Sequence, residues 1–579
     1  MKQVVIENPI LNSPFEEPRR HFKFTEDGIT DEIIKARRVS QYFIPIPRPK
    51  KKSAKQLSFE TQWTADRIEE NRLINQIREG VAKWRKGGYV GITKTTARLL
   101  EYWKRPERER KLFFCQIEAL ETAIWIAEVA GKYGEAWIEN RLREENARSN
   151  PLLYRIAFKM ATGSGKTLVM GMLIAWQTLN KLTNPQDARF SDTFLIVTPG
   201  ITIRDRLRVL LPNDPNNYYR LHDLVPSELL MELGKAKMVI TNFHAFKPRE
   251  RVAAGKLTKE ILRSNDFSRS PFTETPDQMV RRVCRELGNK KNIVVINDEA
   301  HHCYRRPVLE PGLPRKVEED DEKLTGDERR EAEQREEEAR IWISGLEAVK
   351  AKIGVRVVYD LSATPFFLQG SGYSEGTLFP WVVSDFSLID AIESGIVKVP
   401  RVPVADDSMV GEQPTYRDLW LRIREHLPKK GRKTEKFAGD PLLPAELEGA
   451  LQSLYSNYVK YFKQWEKVNE FATTGSRSND FSRLTPPVFI VVCNNTNVSK
   501  MVFDYIAGWE KTLPDKTIVN VPGKLELFSN VADGRWSARP NTILIDSQQL
   551  ESGEAMSADF KKIAAVEIEE FKDEYRARF

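Results

Sequence analysis

The chain has 579 residues, 41% of them hydrophobic and 30% charged. At roughly 150 residues per domain this is material for three or four folded units, and it excludes a wholly disordered chain. Ninety Lys and Arg against 82 Asp and Glu leave a net charge of +8, which permits a polyanionic partner without demanding one. No apolar run is long enough to span a bilayer, and the first twenty residues lack the apolar core of a secretory signal. The four cysteines (Cys115, Cys284, Cys303, Cys493) form no CxxC pair, which argues against both a disulfide framework and a zinc ribbon. The expectation is a soluble, cytoplasmic, multidomain protein without a membrane partner.

Residues up to about 110 are polar, with a basic run, PRPKKKSAK, at 47–55. A solvated loop is the favoured reading of that run, and a phosphate-contacting arm the other. From Phe113 helical spacing in CQIEALETAIWIAEVAGKY gives way to an apolar run, RIAFKM, a glycine-rich loop and an apolar helix, LVMGMLIAWQTL. Short β-branched runs follow at 194–200 (FLIVTPG), 238–243 (MVITNF), 292–302 (NIVVINDEAHH) and 355–365 (VRVVYDLSATP). Strands alternating with helical stretches predict an α/β fold, a parallel sheet with helices on both faces. Insertions are expected at about 247–285 and at 315–340, the second nearly all charged and read as a solvated helix or loop. Past Pro400, Leu447, Leu451, Leu454, Tyr458, Tyr461 and Trp465 fall at helical spacing and are expected in a core. A loop is predicted at 471–487, strands at 488–494 (VFIVVCN) and 542–547 (TILIDS), and a charged helix at the carboxy end.

The loop MATGSGKT, Met160 to Thr167, lies after a strand and before a helix. Phosphate binding needs inward-pointing backbone N–H groups at a helix amino terminus, and glycines permit the close approach. Thr162, Gly163, Ser164 and Gly165 supply the backbone, Lys166 the cation for the β- and γ-phosphates, and Thr167 a hydroxyl for Mg²⁺. The first position of the general pattern is glycine, and here it is Met160. Asp298 and Glu299 end the apolar strand NIVVIN, where a parallel sheet delivers side chains to its ligand edge. Asp298 is placed to hold hydrated Mg²⁺ and Glu299 to orient and deprotonate the attacking water, ATP being the expected substrate. His301 and His302 match no zinc spacing. Ser362 and Thr364, alone, are as readily helix caps as functional hydroxyls.

Taken in order, ATGSGKT, TPG, TNF, DEAH and SAT resemble helicase motifs I, Ia, Ib, II and III of superfamily 2, over about 113–400. More narrowly, TPGITIRDRL, NDEAHHCY, DFSLIDAIESGIVKVPRVPV and ILIDSQQLESGEA resemble the restriction subunit of type III restriction enzymes. The resemblance implies two tandem RecA-like P-loop NTPase domains in an ATP-dependent DNA helicase or translocase of phage defence. It implies an adenine-reading glutamine at Gln116, and coupling of nucleotide state to the third motif through His301, Ser362 and Thr364. It implies sequence-independent backbone contacts to duplex DNA around Thr198, Pro199, Gly200, Thr241 and Asn242. A methyltransferase (modification) subunit is the implied partner. The sequence departs from the family in one respect. The arginine motif QxxGRxxR is expected after ILIDS and is not found before Phe579, nor is a nuclease signature. The organisation expected is therefore an extension at 1–112, a first motor domain at 113–400 and an incomplete second at 401–579, completed by a separately encoded carboxy-terminal half. The alternative is a catalytically impaired remnant that binds ATP and DNA.

Overall fold

The computed structural model describes residues 6, 8–25, 28–43, 68–249, 273–306, 326–368, 371–373, 375–399, 419–428, 441–474, 486–513, 517–537 and 540–545. The basic run at 47–55, most of the insertion at 247–285 and the expected carboxy-terminal helix lie outside the described residues, as do 315–325 and 475–485. The chain divides into two units, 1–399 and 400–579.

The first unit is built on a six-stranded parallel sheet. Its strands are β1 (Arg155–Met160), β2 (Thr193–Thr198), β3 (Lys237–Asn242), β4 (Ile293–Asp298), β5 (Val355–Ser362) and β6 (Val382–Phe386). Their spatial order is β6-β1-β5-β4-β2-β3. Side chains alternate between two buried faces, as a sheet covered on both sides requires. Phe194, Ile196, Val294 and Ile296 join one core, while Leu195, Val197, Ile293 and Val295 join the other. This is the RecA-like α/β arrangement expected. The predicted strands at 194–200, 238–243, 292–302 and 355–365 all form. Strand β6 was not expected: its run, VVSDF, is short and carries Asp385, whose burial depends on a partner distant in sequence, Lys159 at 2.9 Å.

The helices are α1 (Arg72–Lys86), α2 (Lys94–Lys104), α3 (Phe114–Ile124), α4 (Ala136–Ser149), α5 (Lys166–Thr183) and α6 (Gly326–Lys352). Helices α1, α2, α3 and α5 feed one core, and α5 is buried from Val169 to Asn180. The other face is covered by α6, through Trp342, Ile343, Leu346 and Val349. The charged stretch therefore ends in a working core helix rather than a purely solvated one. Trp342 stacks on Phe243 with ring centroids 5.5 Å apart and donates to Asn297 Oδ1 at 3.2 Å.

The segment before residue 113 packs into this unit. Ile74, Ile77, Val81 and Trp103 are core residues. Arg37 forms an ion pair with the buried Glu118, and Ser40 Oγ donates to Asp385 Oδ2 at 2.6 Å.

In the second unit, α7 (Ala445–Thr474) and α8 (Thr496–Ala507) pack around Leu451, Val498, Val502, Tyr505 and Phe528. The inward stripe of α7 runs Leu447, Leu451, Tyr455, Tyr458. Leu454 and Tyr461, expected in the core, are exposed, at 39% and 52%, although helical spacing puts them at the edge of that stripe. The strands of this unit pair antiparallel, Gly508–Thr512 with Ile518–Pro522 and Val531–Ala532 with Arg535–Trp536. The predicted strands at 488–494 and 542–547 are not formed among the described residues. Val488, Ile490 and Val492 are exposed there, with no neighbouring strand to take their backbone hydrogen bonds.

Candidate nucleotide site

Strand register gathers the chemistry at one edge. Lys159 of β1 faces Ser362 of β5, and Leu361 faces Asp298 of β4. The loop after β1, the Asp-Glu pair after β4 and the Ser-Ala-Thr turn after β5 therefore emerge side by side, at the carboxy ends where parallel sheets bind ligands.

The loop 160–167 turns on two glycines with φ of +86°, Gly163 and Gly165, the second being the N-cap of α5. A Cβ at 165 would also meet Gln116 Nε2 at 2.2 Å, so any side chain there would displace the Gln116 amide. The buried Ser164 hydroxyl donates to Ala161 O at 2.6 Å and pins the turn. Thr162 and Gly163 are exposed, and Lys166 and Thr167 half-buried. Gln116 is buried, its Oε1 accepting from Phe113 N–H at 3.0 Å and its Nε2 donating to Ser164 O at 2.9 Å. It braces the phosphate loop from beneath. Sequence spacing alone did not indicate that contact. Val397, from the GIVKVP segment, reaches the other glycine, its Cγ2 lying 3.4 Å from where a Cβ at 163 would sit.

Across the edge, Asp298 is buried and accepts from Glu299 N–H at 3.1 Å. Burial pushes its carboxyl up to about 6, against the opposing pull of the Lys166 ammonium. Glu299 takes φ +48° and ψ +48°, a left-handed backbone that a non-glycine residue rarely adopts. That turn sends its carboxylate to Lys166, with which it forms an ion pair. Its other oxygen lies 3.5 Å from His301 Nδ1. His301 Nδ1 is 2.9 Å from Ser362 Oγ, which accepts from Thr364 N–H at 3.1 Å. Burial, then the charge of His302, holds the His301 imidazole in its neutral form, well below the usual histidine range. Ser362 is thus bonded to the turn after β4, and no helix follows it within the described residues 363–368 for it to cap.

Residues 109–366 match the family model of the type III restriction enzyme res subunit. This stretch is a Res-like helicase domain of superfamily 2. No curated protein matches the chain. The Res-like domain is a P-loop motor domain of the ATP-hydrolase type.

The residues expected to contact DNA sit at the adjoining strands. Thr198 of β2 faces Asn242 of β3. Thr198 is fully buried, its hydroxyl 2.9 Å from Gly200 O and 3.4 Å from Thr241 O. Its side chain holds the two loops together, while Pro199, Gly200 and Thr241 are partly exposed. Missed by the sequence reading is a buried polar network behind the Res-like site: Arg155 Nε to Asp360 Oδ2 at 2.8 Å, Asn297 Nδ2 to Asp360 Oδ1 at 2.8 Å, and Trp381 Nε1 to Asp360 Oδ2 at 3.0 Å. Only an arginine and an aspartate inside apolar runs could have signalled it.

Proposed function

We propose that this chain is a cytoplasmic, ATP-dependent motor of a type III-like restriction system, translocating on duplex DNA beside a modification subunit. The observation that carries the reading is the convergence of Lys166, Asp298, Glu299 and Ser362 at one sheet edge within a Res-like domain. The donor set fits magnesium nucleotide: a turn on two glycines of positive φ, a cation, a hydroxyl and a buried carboxylate. Backbone N–H groups of 163–167 and Lys166 would hold the phosphates, with Thr167 and Asp298 holding Mg²⁺. When bound, the metal would neutralise charge on the phosphate oxygens. Glu299 is the group to take the proton of the attacking water as its oxygen bonds to the γ-phosphorus and the bridging bond to the β-phosphate breaks. His301 and Ser362 then link that carboxylate's position to the Thr364 turn.

Calorimetric titration of ATP·Mg²⁺ into the chain tests the site. Lys166→Ala should weaken binding by roughly 10- to 100-fold, the usual worth of a hydrogen bond to a charged group. Equal affinity in both chains would sink the assignment. Hydrolysis of ATP stimulated by duplex DNA tests the motor reading.

For DNA, we propose contacts through the loops that carry Pro199, Gly200 and Thr241, with Thr198 and Asn242 shaping them. Phosphate contacts of this kind are sequence-independent and salt-sensitive. Filter binding should show affinity falling steeply between about 50 and 200 mM salt, with little preference among duplex sequences. Salt-insensitive, sequence-selective binding would contradict it.

A further inference from the structure

At the amino ends of the same strands, away from the phosphate loop, the first unit carries a cavity of about 490 Å³. Its lining includes Ile156 of β1 and Val357 of β5, and four cations, Arg143, Arg189, Lys350 and Arg356, with a single carboxylate, Glu139. Four cations to one carboxylate is a strong local imbalance for a chain of net charge +8. Two of the four are already matched: Arg143 pairs with Glu139 at 2.6 Å, and Arg189 with Asp187 at 2.7 Å. Among the described residues, Lys350 and Arg356 have no carboxylate within ion-pair distance. Lys350 Nζ donates only to Val355 O, at 2.6 Å. Burial holds the Arg356 guanidinium below its ordinary range, against the pull of Tyr359 and of the Asp187 carboxylate and with the like charges of Arg189 and Arg143. The cavity also contains an orphaned polar atom. The Tyr154 hydroxyl is buried and has no hydrogen-bond partner, while Arg143 lies 4.7 Å over its ring. Buried polar groups are ordinarily satisfied, and those that are not call for a missing partner.

We propose that this cavity binds a small organic phosphate of nucleotide size, its phosphate taken by Arg356 and Lys350 and a hydrogen-bonding group by Tyr154. The volume falls in the range of about 300–1,000 Å³ usual for small-molecule sites. Guanidinium groups suit phosphate oxygens because they present several donors in one plane. Glu139 repels a bare anion but accepts from a ribose hydroxyl or an amine, which selects an organic phosphate over the inorganic ion. The site is independent of the motor's own nucleotide, being lined by other residues at the other end of the strands.

The test uses the full chain carrying Lys166→Ala, so that the phosphate loop is silenced, and AMP bearing a fluorescent N-methylanthraniloyl group as probe. Saturable one-to-one binding is expected, weakened at least tenfold by Arg356→Ala with Lys350→Ala and restored in part by Arg356→Lys. Thermal unfolding of each variant shows whether it is folded, and Arg143→Glu, on an exposed helix surface, is a second variant expected to lower affinity. Displacement by unlabelled AMP alone assigns a nucleoside phosphate, and displacement by inorganic phosphate as well assigns the phosphate group as the part read. No saturable binding, binding indifferent to the Arg356 and Lys350 replacements in folded protein, or displacement by a duplex oligonucleotide at equal phosphate concentration would overturn the proposal.

Discussion

Glu299→Gln is expected to lower ATP turnover by roughly 10²- to 10⁴-fold, the usual contribution of a positioned general base. It should leave ATP binding intact or tighter. The reason lies in the ion pair between Glu299 and Lys166 across the two loops. While that pair holds, the lysine faces a carboxylate rather than a phosphate, and an incoming nucleotide must compete for it. The amide keeps the shape of the side chain and its left-handed turn but removes both the base and the competing charge. Lys166→Ala and Glu299→Gln should therefore differ in kind: the first raises Kd, while the second lowers kcat with Kd unchanged or reduced. Single-turnover hydrolysis with calorimetric binding measures both. A Glu299→Gln chain that turns ATP over at the original rate, or binds it more weakly, would remove Glu299 from the role of base.

Much of this site is legible in the sequence because its parts are local. A strand followed by glycines with positive φ and a helix is encoded within a dozen residues, and Gly163, Gly165 and Lys166 lie where the pattern puts them. The Asp-Glu pair after IVVIN is legible for the same reason, since the strand that presents it is apolar throughout. What could not be read is what depends on strand order. That β5 lies between β1 and β4, bringing Ser362 within 2.9 Å of His301, follows from crossovers that leave no periodic trace. Strand β6 is invisible for a related reason: its Asp385 is polar in sequence and buried in the fold, neutralised by Lys159 and hydrogen-bonded by Ser40. Gln116 was expected to read adenine, and its grip on Ser164 O was not legible. In the second unit, periodicity found α7 but could not fix which stripe faces inward. The runs at 488–494 and 542–547 have strand composition without strand neighbours among the described residues. Composition predicts a strand's tendency, whereas its formation requires a partner.

Asp360→Ala is the substitution expected to reach the site from behind, by destabilising the first unit by about 3–5 kcal/mol, the usual cost of breaking a buried ion pair from one side. Asp360 is buried in β5 and receives hydrogen bonds from Arg155 of β1, Asn297 of β4 and Trp381, which precedes β6. It therefore ties the central strands together one layer beneath Asp298 and Ser362. Burial works against the charge of Arg155, and the Asp360 carboxylate more than restores it, holding the guanidinium above its usual range. Alanine leaves that cation in the core with Asn150 Oδ1, at 3.0 Å, among its few remaining partners. It also strands the Trp381 and Asn297 donors. Asp360→Asn keeps the shape and part of the hydrogen bonding, so it should cost less than alanine. Replacing the pair together, Arg155→Met with Asp360→Leu, should cost less than the sum of the two single changes, since no uncompensated charge remains. Urea titration of the full chain, following the unfolding transition of the unit that holds Trp381, reads each of these variants. A loss below about 1 kcal/mol for Asp360→Ala, in the range of an exposed pair, would show that the network does not brace the sheet.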